Sequence, residues 1–487
     1  MGRTWDESEY VEQGYKMVEL LRKGDFRNSY FYTTYDHPPL VKYLYGVTAH
    51  FDVEKILPNG NPIFNYDLTY SRLLSAILFS LGVVIVVMIG WTISSPIVGI
   101  FSGVILAMLP FSLGLSQLVT AESAKIFIYP LAVYSYILLL KSYSIKKLIF
   151  SGIVTGIALQ VKQSNVFLLL LFICMAVIYY GKSFKNGKMI LVKKIFPLLA
   201  SIFIISAVVF VFIWPQLLFH LKEINEINNK LWIPTFYSDI KQITYSVPEI
   251  FLGNLVLTPV YYYIVYFFTT IPLLILALFF TGFNIIRRTK NWMLISLVFW
   301  FFIPFIMSFY SWRQHGLRYI IEIYPSLAII AAIGFNALMI KFKIKGKLKL
   351  LYFLPITIYL FILLFLIKPY YLDYFNELVG GVNTVYKYKL FQIGWWGQGI
   401  GEAGAYVVKN AKDGSTVGLA VSPLTSAPPM PKLKVQKYDN RKEYDYVIVN
   451  HYNILREGFD ETDIKKKYRP VYFVKANNAI LVTVYKK

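Results

Sequence analysis

Cysteine is almost missing from this chain of 487 residues, and the one that occurs, Cys174, lies inside the apolar run LLLLFICMAVIYY. A disulfide framework and a cysteine-rich metal site are both excluded. Charge is scarce as well: 16% of residues are charged, and Lys and Arg outnumber acids 49 to 27. The chain has no internal repeat, no low-complexity tract and no DxD motif flanked by a soluble nucleotide-binding fold. What is abundant is apolar, with 56% hydrophobic and 18% aromatic residues and a mean hydropathy of +0.53. That is more apolar surface than a soluble fold needs, so the solvent implied is a bilayer.

Apolar segments of about 20 residues match a hydrocarbon core of roughly 30 Å at 1.5 Å per residue. Ten fall at 70–91, 96–115, 127–140, 148–161, 164–181, 195–214, 260–284, 292–311, 319–340 and 350–367, the third and fourth being short. With residues 1–69 outside and the sides alternating, loops 92–95, 141–147, 182–194, 285–291 and 341–349 fall inside. The last four carry sixteen Lys and Arg, from Lys141 to Lys349, and no acid. This positive-inside pattern explains much of the formal charge of +22 without a nucleic-acid partner.

The segments 1–69, 215–259 and 368–487 hold nearly all the acids and fall outside. The sequence therefore predicts an α-helical polytopic membrane protein with a first external loop over 1–69, a transmembrane domain over 70–368 and an external C-terminal domain over 369–487. In the last, the helix-like GIGEAGAYVVKNAK precedes the apolar runs TVGLAV, YDYVIVN, PVYFVKAN and AILVTVYK, the pattern of a small α/β domain. Because the chain opens on the polar stretch MGRTWDESEYVEQGY, a preceding transmembrane helix is expected to be missing.

Three groups of residues carry candidate chemistry. Asp6 and Glu7 stand side by side after Trp5, suited to a general base and its partner, with Trp5 as an apolar wall raising the pKa of Asp6. Glu122 falls in the short external loop QLVTAESAK, where an acid near the membrane is costly unless used or paired, Lys125 being a helical-spacing partner. The third group is cationic: Arg72, Lys162 in VKQSN, and Arg313, His315 and Arg318 in SWRQHGLRY. Basic residues are disfavoured on this side, and an anionic head group would account for them. Snorkelling to lipid phosphate, or local pairing such as Arg318 with Glu322, is the plainer alternative.

The Asp6-Glu7 pair, the motif HPPL from His37 through Pro38 and Pro39 to Leu40, and Arg72 in SRLLSA together resemble the membrane glycosyltransferases of the GT-C class. The nearest branch is the protein O-mannosyltransferase and aminoarabinose-transferase group. Glu122, HGLRYIIEIYPSLAIIAAIG, YYLDYFNELVGG and GWWGQGIGEAG extend the resemblance over almost the whole chain. It implies a hexosyl- or pentosyltransferase that moves a sugar from a dolichyl- or undecaprenyl-phosphate donor to an acceptor hydroxyl on a protein, lipid or glycan, with inversion. It also implies Asp6 as base, Glu7 as its partner, Glu122 at the second acidic position and Arg72 near the lipid phosphate; Lys162, His315 and Arg318 are expected as further phosphate ligands from their place on the external side. Glu122 departs from the Asp of many members. No large added lumenal domain is present, which points to a prokaryotic cell membrane with the site facing out. No cofactor is required, a divalent metal being possible, since cations can neutralise a single phosphate. The alternative is a transporter or flippase for a lipid-linked or anionic substrate, but such proteins place charge near the midplane on broken helices. A non-catalytic scaffold is a third reading.

Overall fold

The computed structural model describes residues 2–33, 38–181, 191–219, 248–310, 315–344 and 348–487. His37, Arg313 and the loop cations Lys182, Lys185, Lys188, Lys345 and Lys347 lie outside these.

Two helices pack at the N-terminal end, α1 (Trp5–Arg22) and α2 (Leu40–Asp52). They cross at Gly14 and Gly46, where an added Cβ on either would lie 2.2 Å from a carbonyl oxygen of the other helix. Pro38 and Pro39 of the HPPL motif are buried at the start of α2, Pro39 taking the N-cap position. Tyr45 of α2 reaches Ser75 Oγ at 2.7 Å and donates to the Thr120 carbonyl at 2.9 Å. The Asp52 carboxylate accepts the amides of Tyr70 and Ser71 at 3.0 and 2.9 Å. It thereby caps the helix that follows, satisfying donors that a helix start leaves orphaned.

All ten expected crossings are filled by apolar helices: α3 (Thr69–Ile93), α4 (Pro96–Met108) with α5 (Pro110–Ser116), α6 (Ala121–Lys141), α7 (Ile145–Leu159), α8 (Phe167–Tyr180), α9 (Phe196–Ile213), α10 (Tyr262–Thr270) with α11 (Leu273–Ile286), α12 (Trp292–Met307), α13 (Ile323–Lys341) and α14 (Leu348–Ile367). Two are not straight. The pairs α4–α5 and α10–α11 bend by 69° and 113°. Each break sits before a proline, Pro110 and Pro272, which lacks an amide and forces the preceding residue into extended backbone. Among the described residues, five single helices are long and apolar enough to span a bilayer, or seven with each bent pair as one span. α7, at 15 residues, reaches only about 22 Å.

The helices differ in what surrounds them. α6 and α13 are largely enclosed by protein, whereas α9 turns Phe203, Ile204, Val208 and Phe212 outward to lipid. α11 packs on α13 at Gly282 and Gly334, where a Cβ would stand 1.9 and 2.1 Å from opposing carbonyl oxygens. Between membrane helices small residues permit such close approach, and packing replaces the hydrophobic effect as the driving force.

The C-terminal part follows helices α15 (Gly381–Tyr388) and α16 (Ile400–Asn410). It holds a five-stranded sheet in the order β6-β5-β7-β9-β8, after two small hairpins β1–β2 (Val53–Ile56, Pro62–Phe64) and β3–β4 (Glu249–Phe251, Asn254–Val256) earlier in the chain. β5 (Thr416–Ala420), β7 (Tyr446–Asn450), β8 (Arg469–Ala476) and β9 (Ala479–Lys486) are the four expected apolar runs. β5 is parallel to β6 and β7, and β9 antiparallel to its neighbours. The edge strand β6 (Lys434–Lys437) is not legible in the sequence, because KVQK is exposed throughout and carries no apolar alternation. Along β7, Tyr446 and Ile448 pack in the large core and Val447 and Val449 in a second cluster with Tyr444, Ile464 and Tyr468. The sheet is therefore covered on both faces.

Candidate active site

Asp6 and Glu7 are adjacent on α1, and about 100° of helical rotation sends them to different places. Glu7 points inward and is fully buried. Its carboxylate accepts Arg72 Nε at 2.8 Å, Arg72 NH2 at 2.7 Å, the Thr4 amide at 2.8 Å and the Val119 amide at 3.1 Å. The Thr4 contact is half of a capping box at the start of α1. Arg72 also donates to the Gly2 carbonyl at 3.0 Å. Arg72, expected at the lipid phosphate, is therefore committed to Glu7 in a bidentate pair, and Glu7 ties α1 to α3 rather than orienting Asp6.

Asp6 points outward to a cavity of about 780 Å³ and is ion-paired with Arg318. Arg318 Nε also donates to Glu122 Oε1 at 3.0 Å, and Lys162 Nζ donates to the same oxygen at 2.8 Å. A buried chain Asp6–Arg318–Glu122–Lys162 results, in which only Asp6 is appreciably exposed, at 22% of its side chain. Arg318 lies 4.1 Å over the Trp396 ring, and Lys162 5.0 Å over Tyr319, contacts that favour a cation once water is excluded.

The expected pairings are exchanged. Spacing along the chain puts Glu122 in a loop with Lys125, and Arg318 with Glu322. In the structure α6 begins at Ala121, so Glu122 occupies its first turn, and Lys125 Nζ instead meets Glu322 Oε2 at 2.6 Å and Ser164 Oγ at 2.8 Å. Helical spacing finds neighbours on one helix, whereas here the enclosed helices α6 and α13 bring partners from different segments. Trp5 does not wall Asp6 from water; it stands 55% exposed at the cavity rim, and the dominant neighbour of Asp6 is a cation.

His315 lines the cavity with its ring stacked on Trp395 at 4.3 Å. Burial, with Arg318 nearby, holds its pKa well below the ordinary value, so it is not a cation available to a phosphate. Lys162 and Arg72 do not line the cavity. Of the four expected phosphate ligands, Arg318 alone is a cation at its surface. Further lining comes from the C-terminal domain, with Ser422, Lys437 of β6, and Asn453 and Arg456 of the helix His451–Arg456. Among the described residues no three His, Cys, Asp or Glu side chains group as metal ligands.

The model of the dolichyl-phosphate-mannose-protein mannosyltransferase family matches residues 36–214, from the HPPL segment to the end of α9. In structure, the chain is similar to ArnT from Cupriavidus metallidurans bound to undecaprenyl phosphate, with a TM-score of 0.52 and 13% identity over 99% of this chain and 94% of that one. The chain has the GT-C fold. A looser likeness, TM-score 0.46 and 12% identity over 98% of this chain and 70% of the other, is to the archaeal oligosaccharyltransferase AglB from Archaeoglobus fulgidus. No curated protein matches the sequence. In this GT-C chain the cavity opens between the helix ends and the C-terminal sheet domain, with Trp395 and Trp396 of GWWGQG at the junction. These tryptophans belong to a recognised motif, but their contact with His315 and Arg318 has no signal in spacing.

Proposed function

We propose that this protein is a glycosyltransferase that moves a sugar from a polyprenyl-phosphate donor to an acceptor hydroxyl, inverting the anomeric carbon, at the outer face of a prokaryotic cell membrane. The observation that carries this reading is the junction of Asp6 and Arg318 at one cavity, a proton acceptor and a fixed cation side by side where the helices end. The family matched over 36–214 and the lipid phosphate bound to ArnT support a donor of this class.

In the proposed reaction Asp6 takes the acceptor's hydroxyl proton as its oxygen attacks the anomeric carbon. The bond from that carbon to the phosphate oxygen breaks, its electron pair leaving with polyprenyl phosphate, which gains one negative charge. Arg318 stands where it can meet that charge, and preorganised cations in a water-poor site are effective at this task. Glu122 and Lys162 hold Arg318 from behind; Glu7 and Arg72 hold the helix that presents Asp6. Positive charge thus comes from side chains, and the reading requires no metal.

The test is to incubate the purified protein with a panel of polyprenyl-phosphate sugars and acceptor hydroxyls and to measure release of polyprenyl phosphate. Release with at least one donor is expected; none across dolichyl and undecaprenyl donors would reject the reading. Orientation is checked by cysteine labelling, with positions beside Lys146 and Lys290 expected inside and Asn440 outside.

A further inference from the structure

Two buried acids outside the chain of ion pairs hold the turn that leads into Arg318 and the turn that carries Trp396 beneath it. Glu249 of β3 is enclosed by α10 and the turn before Arg318. Its Oε1 accepts Tyr262 OH at 2.9 Å and Tyr266 OH at 3.0 Å, and its Oε2 accepts the His315 amide at 3.2 Å. Tyr262 OH in turn accepts the Gly316 amide at 3.0 Å. His315 and Gly316 both adopt positive φ, 55° and 62°, a strained conformation for a histidine that persists only when its surroundings fix it. Two residues later comes Arg318.

The second acid, Asp373, is buried after α14, and its Oδ1 accepts the Gly394 amide at 2.7 Å. Gly394 opens the turn of Trp395 and Trp396. The two turns meet at their rings: His315 stacks on Trp395, Trp395 is tilted by 34° against Trp396 at 4.5 Å, and Trp396 lies under Arg318. Each acid thus pins one turn through the backbone, Glu249 the turn that leads into Arg318 and Asp373 the turn whose Trp396 ring lies under the guanidinium.

We propose that Glu249 and Asp373 are positioning residues for donor binding, acting through Arg318 by fixing the turns that seat it. The inference rests on the donor reading above and adds to it two residues that touch neither substrate nor reacting atoms. Their task is to accept hydrogen bonds, not to supply charge. Burial pushes both carboxyls up to about 7, against the pull of these hydrogen bonds and, for Glu249, of Arg456. An amide of the same shape can accept the same backbone N–H: in Glu249→Gln the side-chain oxygen can face the His315 amide while the NH2 turns to the two tyrosine oxygens.

The experiment measures the Kd of undecaprenyl phosphate for the full chain in phosphatidylcholine nanodiscs. Arg318→Ala is expected to weaken binding about tenfold or more, the loss of a charged hydrogen bond. Glu249→Ala and Asp373→Ala are each expected to weaken it by at least about fivefold, a neutral hydrogen bond's worth or more, whereas Glu249→Gln and Asp373→Asn stay close to wild type. The double variant Glu249→Ala with Arg318→Ala is expected to bind no more weakly than Arg318→Ala alone, since an effect transmitted through Arg318 vanishes with it. Additive losses, or wild-type binding by both alanine variants, overturn the proposal. If Glu249→Ala does not yield monodisperse protein, Tyr262→Phe takes its place: it removes the acceptor of the Gly316 amide, and wild-type binding by that variant overturns the proposal equally. A wild-type chain that does not bind the lipid phosphate overturns the donor reading itself, a result distinct from any difference among variants.

Discussion

Glu7 with Arg72 and Asp6 with Arg318 are two acid–Arg pairs that begin one residue apart, yet they meet different fates. The first is closed: Glu7 receives four hydrogen bonds and is sealed from solvent. The second is open: Asp6 keeps a fifth of its surface at a cavity, and its arginine is shared with Glu122. A saturated buried carboxylate such as Glu7 can only hold structure, since any new ligand would have to break one of its bonds. A pair at a cavity edge has room to exchange partners. What separates a fastener from a reactive group here is the number of remaining partners, not the residue types.

The comparison is broken most sharply by removing each acid's charge. Asp6→Asn is expected to reduce sugar transfer by about 10² to 10⁴-fold, the usual worth of a positioned base, well beyond the roughly tenfold change in lipid-phosphate binding expected from weakening its pair with Arg318. Arg72→Ala is expected to act on the other axis. Removing one partner of a buried ion pair costs about 3–5 kcal/mol, so this variant should lose thermal stability and yield before its turnover can be compared. Turnover surviving in Asp6→Asn while Arg72→Ala stays stable would reverse the two assignments. Glu122→Gln should fall between, with donor kcat/KM lowered about tenfold for a weakened charged hydrogen bond to Arg318 and a modest drop in stability. A dead Glu122→Gln beside an active Asp6→Asn would move the base to Glu122.

The buried acids give the comparison a pH axis. Glu249 and Asp373 have folded-state pKa values raised to about 7 from 4.5 and 3.8. A carboxyl raised in the folded state contributes stability that is full below its unfolded pKa and is lost as pH rises through the folded one. Thermal stability is therefore expected to fall from about pH 4 to about pH 7 and to level off above it, by about 1.4 kcal/mol per pH unit for each carboxyl. The combined variant Glu249→Gln with Asp373→Asn should flatten that slope; an unchanged slope would mean that other groups set it.

The parts of this fold that are legible in the sequence are those where one physical signal dominates. Apolar length locates the helices of the membrane region, and Gly, Pro and Asn punctuation locates β5, β7, β8 and β9. The bends at Pro110 and Pro272 are carried by the sequence but hidden by a window that averages hydropathy over about 20 residues. Pairings are less legible: Lys125 with Glu322, or Arg318 with Glu122, depend on which helices become neighbours, and Arg318 and Glu122 are 196 positions apart. Glu249 leaves a faint trace, a lone acid in VPEIF ahead of YYYIVY. Its meaning appears only once α10 turns back to bring Tyr262 and Tyr266 onto one of its oxygens.

The smallest expected effect concerns the face on which Arg318 rests. Trp396 lies 4.1 Å from the guanidinium carbon and is itself 3% exposed, so the contact is shielded from water. A phenyl ring keeps a π face but has a weaker quadrupole than indole, and the cation–π difference is a fraction of the roughly 0.5–2 kcal/mol that such contacts span. Trp396→Phe is therefore expected to lower donor kcat/KM only about two- to threefold, with acceptor KM unchanged. Trp396→Leu removes the face altogether and should lower it several times further. The same exchange at Trp395, which stacks on His315 instead of Arg318, should affect the donor less than Trp396→Leu does. If both leucine variants are equal, the two rings serve as packing for the turn, and the seat of Arg318 is made by Asp6 and Glu122 alone.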